Sequence, residues 1–283
     1  MIYRKLVVLL VCLIAAQAAN GYDGGLKKTI GIVNFENSTF YKDADEAAAA
    51  IGKHLMEELK DNCPDIISQR FENPAEIDNQ KIAFAGRSAG INAVVTCKLT
   101  DIRGVEEELG FWFFEKTVYF AEVHVLITIY DTETASKLFM GSFEDEIETS
   151  QEQFNALVSK TASGNLPDIQ KPLKNLAESI GEEICSILKD EPFKAYLSSV
   201  EGDTVMVTSG SNVGLTKGMK FKVYGSQESV AGKAGTAFYF KGSEVGEIEI
   251  ITVAPDSAEG RIISGRIANT DVCLKEKEKD SWF

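Results

Sequence analysis

The sequence has few of the residues on which most metal sites and many catalytic sites depend. Its 283 residues include two histidines, His54 and His124, which are neither an i,i+4 pair nor close to a Cys-x-x-Cys motif. We therefore predict no metal site and expect both histidines to be partly exposed. Basic residues are also fewer than acidic ones: the sequence has 29 lysines and arginines and 43 aspartates and glutamates, which gives a formal net charge of −14. This balance argues against nucleic-acid binding, which requires basic patches that contact phosphates.

Long apolar runs are absent except at the beginning of the chain. Arg4 and Lys5 precede an apolar run from Leu6 to Ala16, and a small-x-small cleavage site ends at Ala18. We interpret residues 1–18 as a secretory signal peptide. No later stretch approaches the length of about 18 uncharged apolar residues that a transmembrane helix needs, so we predict none.

Export places the acidic chain in the periplasm. Cleavage after Ala18 removes Arg4 and Lys5 and no acid, which leaves 43 acids against 27 bases and a net charge of −16. We interpret this charge as general solubility rather than as a binding surface for a basic partner. Lipidation at Cys12 is not expected, because Leu10 and Val11 precede it where a lipoprotein signal has a small residue; peripheral association with the outer membrane stays open.

Four cysteines remain after cleavage, namely Cys63, Cys97, Cys185 and Cys273. An oxidising compartment permits two disulfides, but three pairings exist and the sequence does not choose among them. Cys97 alternates with other apolar residues on one strand face, so a buried free thiol is expected there as much as a bridge.

Helical and strand periods alternate over residues 27–191, which predicts an α+β fold with a mixed β-sheet packed by helices. A final helix has Pro172 in its first turn and one apolar stripe that we expect to lie on the sheet. The predicted elements are strands Thr29–Phe35, Ile66–Phe71, Ile91–Ile102, Thr117–Tyr130 and Phe143–Ile147, helices Ala44–Lys60 and Ala75–Ala89, and a turn over Asp131–Thr134.

After Pro192 the chain becomes rich in glycine and in short alternating runs of β-branched residues. Short strands joined by glycine turns predict a small all-β domain, barrel-like, over residues 192–274. Residues 275–283 are a charge run that we interpret as a solvated tail.

Several patterns resemble catalytic motifs and are better explained by local structure. Gly86-Arg-Ser-Ala-Gly90 matches G-x-S-x-G, but a helix precedes Ser88 and a strand follows it, which is the reverse of a nucleophile elbow. The glycine pairs 210/214 and 232/235 lack phosphate-loop spacing and are predicted to be turns. We predict no catalytic residue, no cofactor and no enzymatic activity.

The most unusual local feature is an aromatic segment between two β segments, flanked by Glu106–Glu108 and Glu115. Its large apolar residues are Leu109, Phe111, Trp112, Phe113 and Phe114. Strand side chains alternate, so these five cannot all face one core. Three interpretations stay open: core packing or burial against the second domain, a surface for a protein partner, and a tip that touches a membrane.

Four segments of the N-terminal part resemble the CsgG-like family of curli-secretion channel subunits, a fold similar to the amino-terminal domain of TolB. They match its first strand, its helix-to-strand step, its long central strand with an Asp-x-Glu-Thr turn, and its returning strand. These segments are residues Thr29–Asn37, Ala85–Cys97, Val123–Thr134 and Leu138–Glu144. The stretch Val205–Tyr224 resembles the small β domain that ends flagellar assembly protein T.

The resemblance implies a periplasmic assembly or scaffold protein that acts through contacts with envelope proteins or with its own copies, as a ring or oligomer. It supplies no catalytic residues. Two alternatives stay open: a periplasmic sensor that binds a small ligand in the groove between the domains, and an activator of a cell-wall synthase.

Overall fold

A computed structural model of the protein describes residues 25–41, 44–72, 78–110, 116–159, 168–225, 229–232, 237–267 and 273–276. The predicted signal peptide lies outside these residues. The structure confirms the predicted fold class, because a mixed sheet packed by helices is followed by a closed six-stranded barrel.

The N-terminal sheet combines parallel and antiparallel pairs. Its strands are β1 (Lys28–Val33), β2 (Glu36–Asn37), β3 (Ile66–Phe71), β4 (Ala93–Leu109), β5 (Lys116–Asp131) and β6 (Lys137–Thr149). They lie in the spatial order β3-β1-β4-β5-β6, and the short β2 also pairs with β4. β1 is parallel to both of its neighbours, whereas β4, β5 and β6 form an antiparallel meander. The meander contains the longest strands and therefore sets the length of the sheet.

Helices pack on both sides of this sheet. They are α1 (Ala44–Asn62), α2 (Asn79–Ser88), α3 (Gln151–Val158) and α4 (Gln170–Lys189). α1 and α4 pack together and share a core with one sheet face, while α2 packs on the other face with Ile82 among β-strand residues such as Val94. The apolar stripe predicted on the last helix is confirmed, because all of its members are buried: Leu173, Leu176, Ile180, Ile184 and Leu188.

The structure differs from the predicted elements in the bounds of several strands and in an additional α-helix; β6, for example, covers Lys137–Thr149, where the prediction was Phe143–Ile147. β4 continues to Leu109 and β5 begins at Lys116, both beyond the predicted ends, because the two strands form hydrogen bonds with each other along their length. α3 was not predicted at all, although its signal was present. The Ser150 hydroxyl accepts a hydrogen bond from the Gln153 backbone N–H at 3.2 Å, and the Gln153 side chain reaches back, which is a capping box.

The C-terminal part has eight strands: β7 (Lys194–Glu201), β8 (Thr204–Val207), β9 (Lys220–Tyr224), β10 (Ser229–Ala231), β11 (Ala237–Tyr239), β12 (Glu244–Val253), β13 (Ala258–Gly265) and β14 (Cys273–Glu276). Six of them form a closed barrel in the order β12-β13-β8-β7-β14-β9, and β10 and β11 form a separate hairpin. The barrel has its own core, centred on fully buried residues such as Phe221, Val223 and Ile248. The boundary near Pro192 stays a prediction; Pro192 lies between α4 and β7.

The barrel includes residues from outside its predicted range of 192–274. Lys275 and Glu276, predicted to begin the solvated tail, belong to β14, and Lys275 pairs with a buried carboxylate. Leu26, just before the expected N-terminal domain, packs in the barrel core, and the N–H of Lys27 donates to the Val213 carbonyl at 2.9 Å. Both placements depend on contacts between residues that are far apart in the sequence, which local charge and residue spacing do not reveal.

The cysteines form one disulfide rather than two. Cys63, just after α1, is bonded to Cys185 on α4, which joins the two helices that cover the sheet. Cys97 and Cys273 are buried free thiols. They do not pair because Cys97 lies in the core of the N-terminal sheet, whereas Cys273 lies on barrel strand β14.

Among the described residues, no helix has both the length and the apolar character that crossing a membrane requires.

Candidate interaction site

The β4–β5 hairpin is the most extended feature of the N-terminal part. Its two strands pair continuously from Ala93 opposite Asp131 to Leu109 opposite Lys116, with one irregularity near Thr100. The first five residues of β4, Ala93–Cys97, are buried, whereas every residue from Glu106 to Gly110 is exposed. The far end of the hairpin therefore lies beyond the core.

α3 supports the middle of this hairpin. The Phe154 ring lies 4.7 Å from the Tyr119 ring, measured between centroids, and packs over Gly104. A Cβ atom added at Gly104 would stand 2.8 Å from a ring carbon of Phe154, so the close approach requires glycine at that position. The supported part of the hairpin ends shortly after this contact, and the exposed part begins there.

The predicted aromatic segment begins at Leu109, the last residue of β4, and continues in the sequence toward β5. Leu109 is 48% exposed and is not packed in a core. Phe111, Trp112, Phe113 and Phe114 lie outside the described residues, so the choice among the three interpretations stays a prediction for them. The described flank is acidic, since Glu106, Glu107 and Glu108 are all exposed.

A second feature, the interdomain charge cluster, consists of Asp131, Glu133, Lys194 and Lys275. Lys194 on β7 donates a hydrogen bond to Asp131 Oδ1 at 2.5 Å, and its Nζ lies 3.6 Å from Glu133 Oε2. Lys275 Nζ lies 2.7 Å from Glu133 Oε1. The side chains of Asp131, Glu133 and Lys194 are at most 4% exposed, so the two parts of the chain meet through ion pairs removed from water.

Uncharged hydrogen bonds surround the interdomain charge cluster. The Thr132 hydroxyl lies 2.9 Å from the Tyr196 hydroxyl of the barrel, and the Asn92 amide donates to the Lys194 carbonyl at 2.6 Å. Buried polar groups are costly unless they are paired, and these hydrogen bonds pair Thr132 and Asn92 across the contact, while the Glu133 oxygens have, among the described residues, only their ion pairs. The Asp131–Thr134 turn is predicted by the sequence but its burial is not, because the lysines that pair with it lie far along the chain.

The cluster sets the charge states of its members. Burial alone would raise the pKa of Asp131, but the Lys194 ammonium and hydrogen bonds from Thr134 and the Glu133 backbone outweigh it, so the pKa is lowered. Burial would lower the pKa of Lys194, but Asp131, Glu133 and Glu191 raise it. Burial, with a contribution from Glu133, raises the pKa of the Cys273 thiol to about 12. Asp131 and Lys194 are therefore both charged at neutral pH.

This charge state predicts how stability depends on pH. Because the pKa of Asp131 is lower in the folded than in the unfolded chain, its contribution is present above the unfolded value of about 3.9 and is lost as the pH falls through the folded value. We expect the stability difference between the native chain and Asp131→Asn to be constant near neutral pH and to shrink below about pH 3.9. Urea denaturation from pH 2.5 to 7 measures it, and a constant difference would contradict the prediction.

A groove between α2 and the barrel lies where the ligand-binding alternative would place its site. It has a volume of about 220 Å³, and its lining includes Phe84, Arg87 and Thr208. The Arg87 guanidinium stacks on the Tyr239 ring at 4.6 Å, and its Nε and Nη2 atoms are buried without a hydrogen-bond partner among the described residues.

The predicted local explanations of Ser88 and Gly90 are confirmed. Ser88 is the last residue of α2, and its hydroxyl donates to the Phe84 carbonyl at 3.1 Å. Gly90 has a φ of 70°, the left-handed conformation typical of a residue after a helix end. His54 lies on the α1 surface beside Glu57, with 3.6 Å between Nδ1 and Oε2.

No family model matches the chain, and no curated protein matches it. Among solved structures, the hypothetical protein CT253 from Chlamydia trachomatis is 10% identical with a TM-score of 0.39, over 58% of this chain and 96% of that one. The PelC dodecamer from Paraburkholderia phytofirmans is 12% identical with a TM-score of 0.33, over 56% and 89%. A minor lipoprotein from Acinetobacter baumannii is 12% identical with a TM-score of 0.29, over 56% and 93%. These likenesses are too distant to assign a function.

Proposed function

We propose that this chain is a non-enzymatic scaffold or assembly protein of the periplasm that acts through protein–protein contacts made by the end of the β4–β5 hairpin. The observation that carries the proposal is the exposed hairpin end, where Leu109 is 48% exposed next to a segment of four aromatic residues. Aromatic residues surrounded by polar ones are typical of the centre of a protein interface.

Two further features support the proposal. The Cys63–Cys185 disulfide fits an oxidising compartment such as the periplasm, in agreement with the predicted signal peptide. The interdomain charge cluster holds the barrel against the N-terminal sheet, so the hairpin and the barrel present their surfaces in a fixed relation. A scaffold requires such a relation between its contact surfaces.

Replacing Trp112 and Phe114 by serine should abolish capture of the partner. Each aromatic anchor at the centre of an interface contributes about 2 kcal/mol or more, so capture should fall at least tenfold. Crosslinking in the native envelope followed by affinity capture measures the loss, and light scattering of the purified chain shows whether the partner is a second copy.

Phe240→Ser is the matched control, because Phe240 is 65% exposed and directly follows β11, away from the β4–β5 hairpin in the sequence. It should leave capture and oligomeric state unchanged, and all variants should keep the melting temperature of the native chain. Unchanged capture by the Trp112→Ser, Phe114→Ser variant would overturn the proposal, as would equal losses in this variant and in the control.

A further inference from the structure

The outer face of the meander, turned away from α1 and α4, has a group of metal-ligating side chains. Ala121, Val123 and Val125 of β5 are buried in the core beneath those helices. Side chains alternate along a strand, so Glu122 and His124 point to the opposite face. The pairing register places Glu144 of β6 directly opposite His124.

The three side chains stand within coordinating distance of one another. His124 Nε2 lies 3.4 Å from Glu122 Oε2, and His124 Nδ1 lies 3.5 Å from Glu144 Oε2. One ligand atom from each of the three residues fits within 4.8 Å of the others. Ligand atoms bound at about 2.1 Å to a tetrahedral ion stand about 3.4 Å apart. One ion binds through a single ring nitrogen, so binding through Nε2 beside Glu122 requires the Glu144 side chain, which is 67% exposed, to rotate toward it.

The His124 imidazole, at the centre of this group, has one ring nitrogen without a hydrogen bond to any described residue. The side chain of His124 is 14% exposed, and its Nε2 atom is buried without a hydrogen-bond partner in the part of the chain that the structure describes. A buried ring nitrogen gains an interaction either by hydrogen bonding or by binding a metal ion. Here the groups within reach are carboxylates, which are themselves metal ligands.

The surrounding charge favours a cation. Asp101 lies opposite His124 on the other side, and Glu146 follows Glu144 on the same face of β6. Glu146 also lies directly opposite Glu122 in the pairing of β5 with β6. Arg103 offsets part of this charge, because its Nε donates to Glu122 Oε2 at 2.6 Å. Carboxylates still outnumber the arginine, so a divalent cation would reduce their mutual repulsion.

We propose that Glu122, His124 and Glu144 bind a divalent transition-metal ion of the zinc class. An imidazole nitrogen with two carboxylate oxygens suits Zn²⁺ and not Mg²⁺ or Ca²⁺, which prefer oxygen ligands alone. Because the ligands come from β5 and β6, the ion would join these two strands near the base of the exposed hairpin. This site goes beyond the proposed partner contact and does not depend on it.

Substituting Arg103 and substituting the ligands should change the zinc affinity in opposite directions. The Arg103 guanidinium and the metal ion compete for the same carboxylate, so Arg103→Gln should tighten zinc binding several-fold. Glu144→Gln and His124→Ala should each weaken it at least about tenfold, since even indirect changes around a metal site cost that much. Glu144→Gln alters an exposed side chain and should not affect folding.

Isothermal titration of the full chain, without a histidine tag, with ZnCl₂ and in parallel with MgCl₂ measures these changes. The matched controls are Glu148→Gln, which is 66% exposed on the same face of β6, and His54→Ala, which removes the other histidine. We expect one zinc ion per chain, binding much tighter than magnesium, and both controls within twofold of the native chain. Zinc binding no tighter than magnesium, or equal losses in Glu144→Gln and Glu148→Gln, would overturn the proposal.

Discussion

Replacing Lys194 by methionine should lower the free energy of unfolding by about 3–5 kcal/mol, the cost of removing one partner from a buried ion pair. The Lys194 side chain is 3% exposed and contacts both Asp131 and Glu133. Methionine keeps the approximate shape of the side chain but leaves two buried carboxylates with one fewer counter-charge. Equilibrium denaturation in urea measures the loss.

Two comparisons separate this effect from a general loss of packing. Asp131→Asn in the Lys194→Met background should recover part of the loss, because it removes a buried charge that has lost its partner. Lys222→Met is the matched control, since Lys222 forms a surface pair with Glu244 at 3.0 Å with both side chains substantially exposed. It should leave the transition midpoint nearly unchanged. If the two lysine substitutions cost the same, the cluster does not hold the two parts together.

Loss of the Cys63–Cys185 disulfide should cost about 2–5 kcal/mol of unfolding free energy. The two cysteines are 122 residues apart in sequence, so the bridge closes a long loop and restricts the unfolded chain strongly. The double variant Cys63→Ala, Cys185→Ala tests this by urea denaturation, in parallel with the native chain under reducing conditions.

The reductant provides the internal control. It should destabilise the native chain by about as much as the double variant is destabilised, and it should have no effect on the double variant itself. Cys97→Ala should stay sensitive to the reductant, because Cys97 is a free thiol. A double variant that still responds to the reductant would show that another bond carries the redox sensitivity.

The elements that depend on local pattern were predicted from the sequence. The helix over Ala44–Lys60, the strand Ile66–Phe71 and the stripe on the last helix need only side-chain periodicity, which residues a few positions apart determine. The barrel was predicted in the same way, from short alternating runs between glycine turns. α3 was missed because it is short, although its capping box was visible in the sequence.

By itself, the sequence determined an acidic chain with an α+β part followed by a small barrel, because composition and periodicity act over a few residues at a time. Only the tertiary structure decided which groups meet. It paired Cys63 with Cys185, buried Asp131 and Glu133 against Lys194 and Lys275, and placed His124 between Glu122 and Glu144. These contacts arise from strand register and domain packing, which bring together residues whose spacing in the chain conveys no such signal.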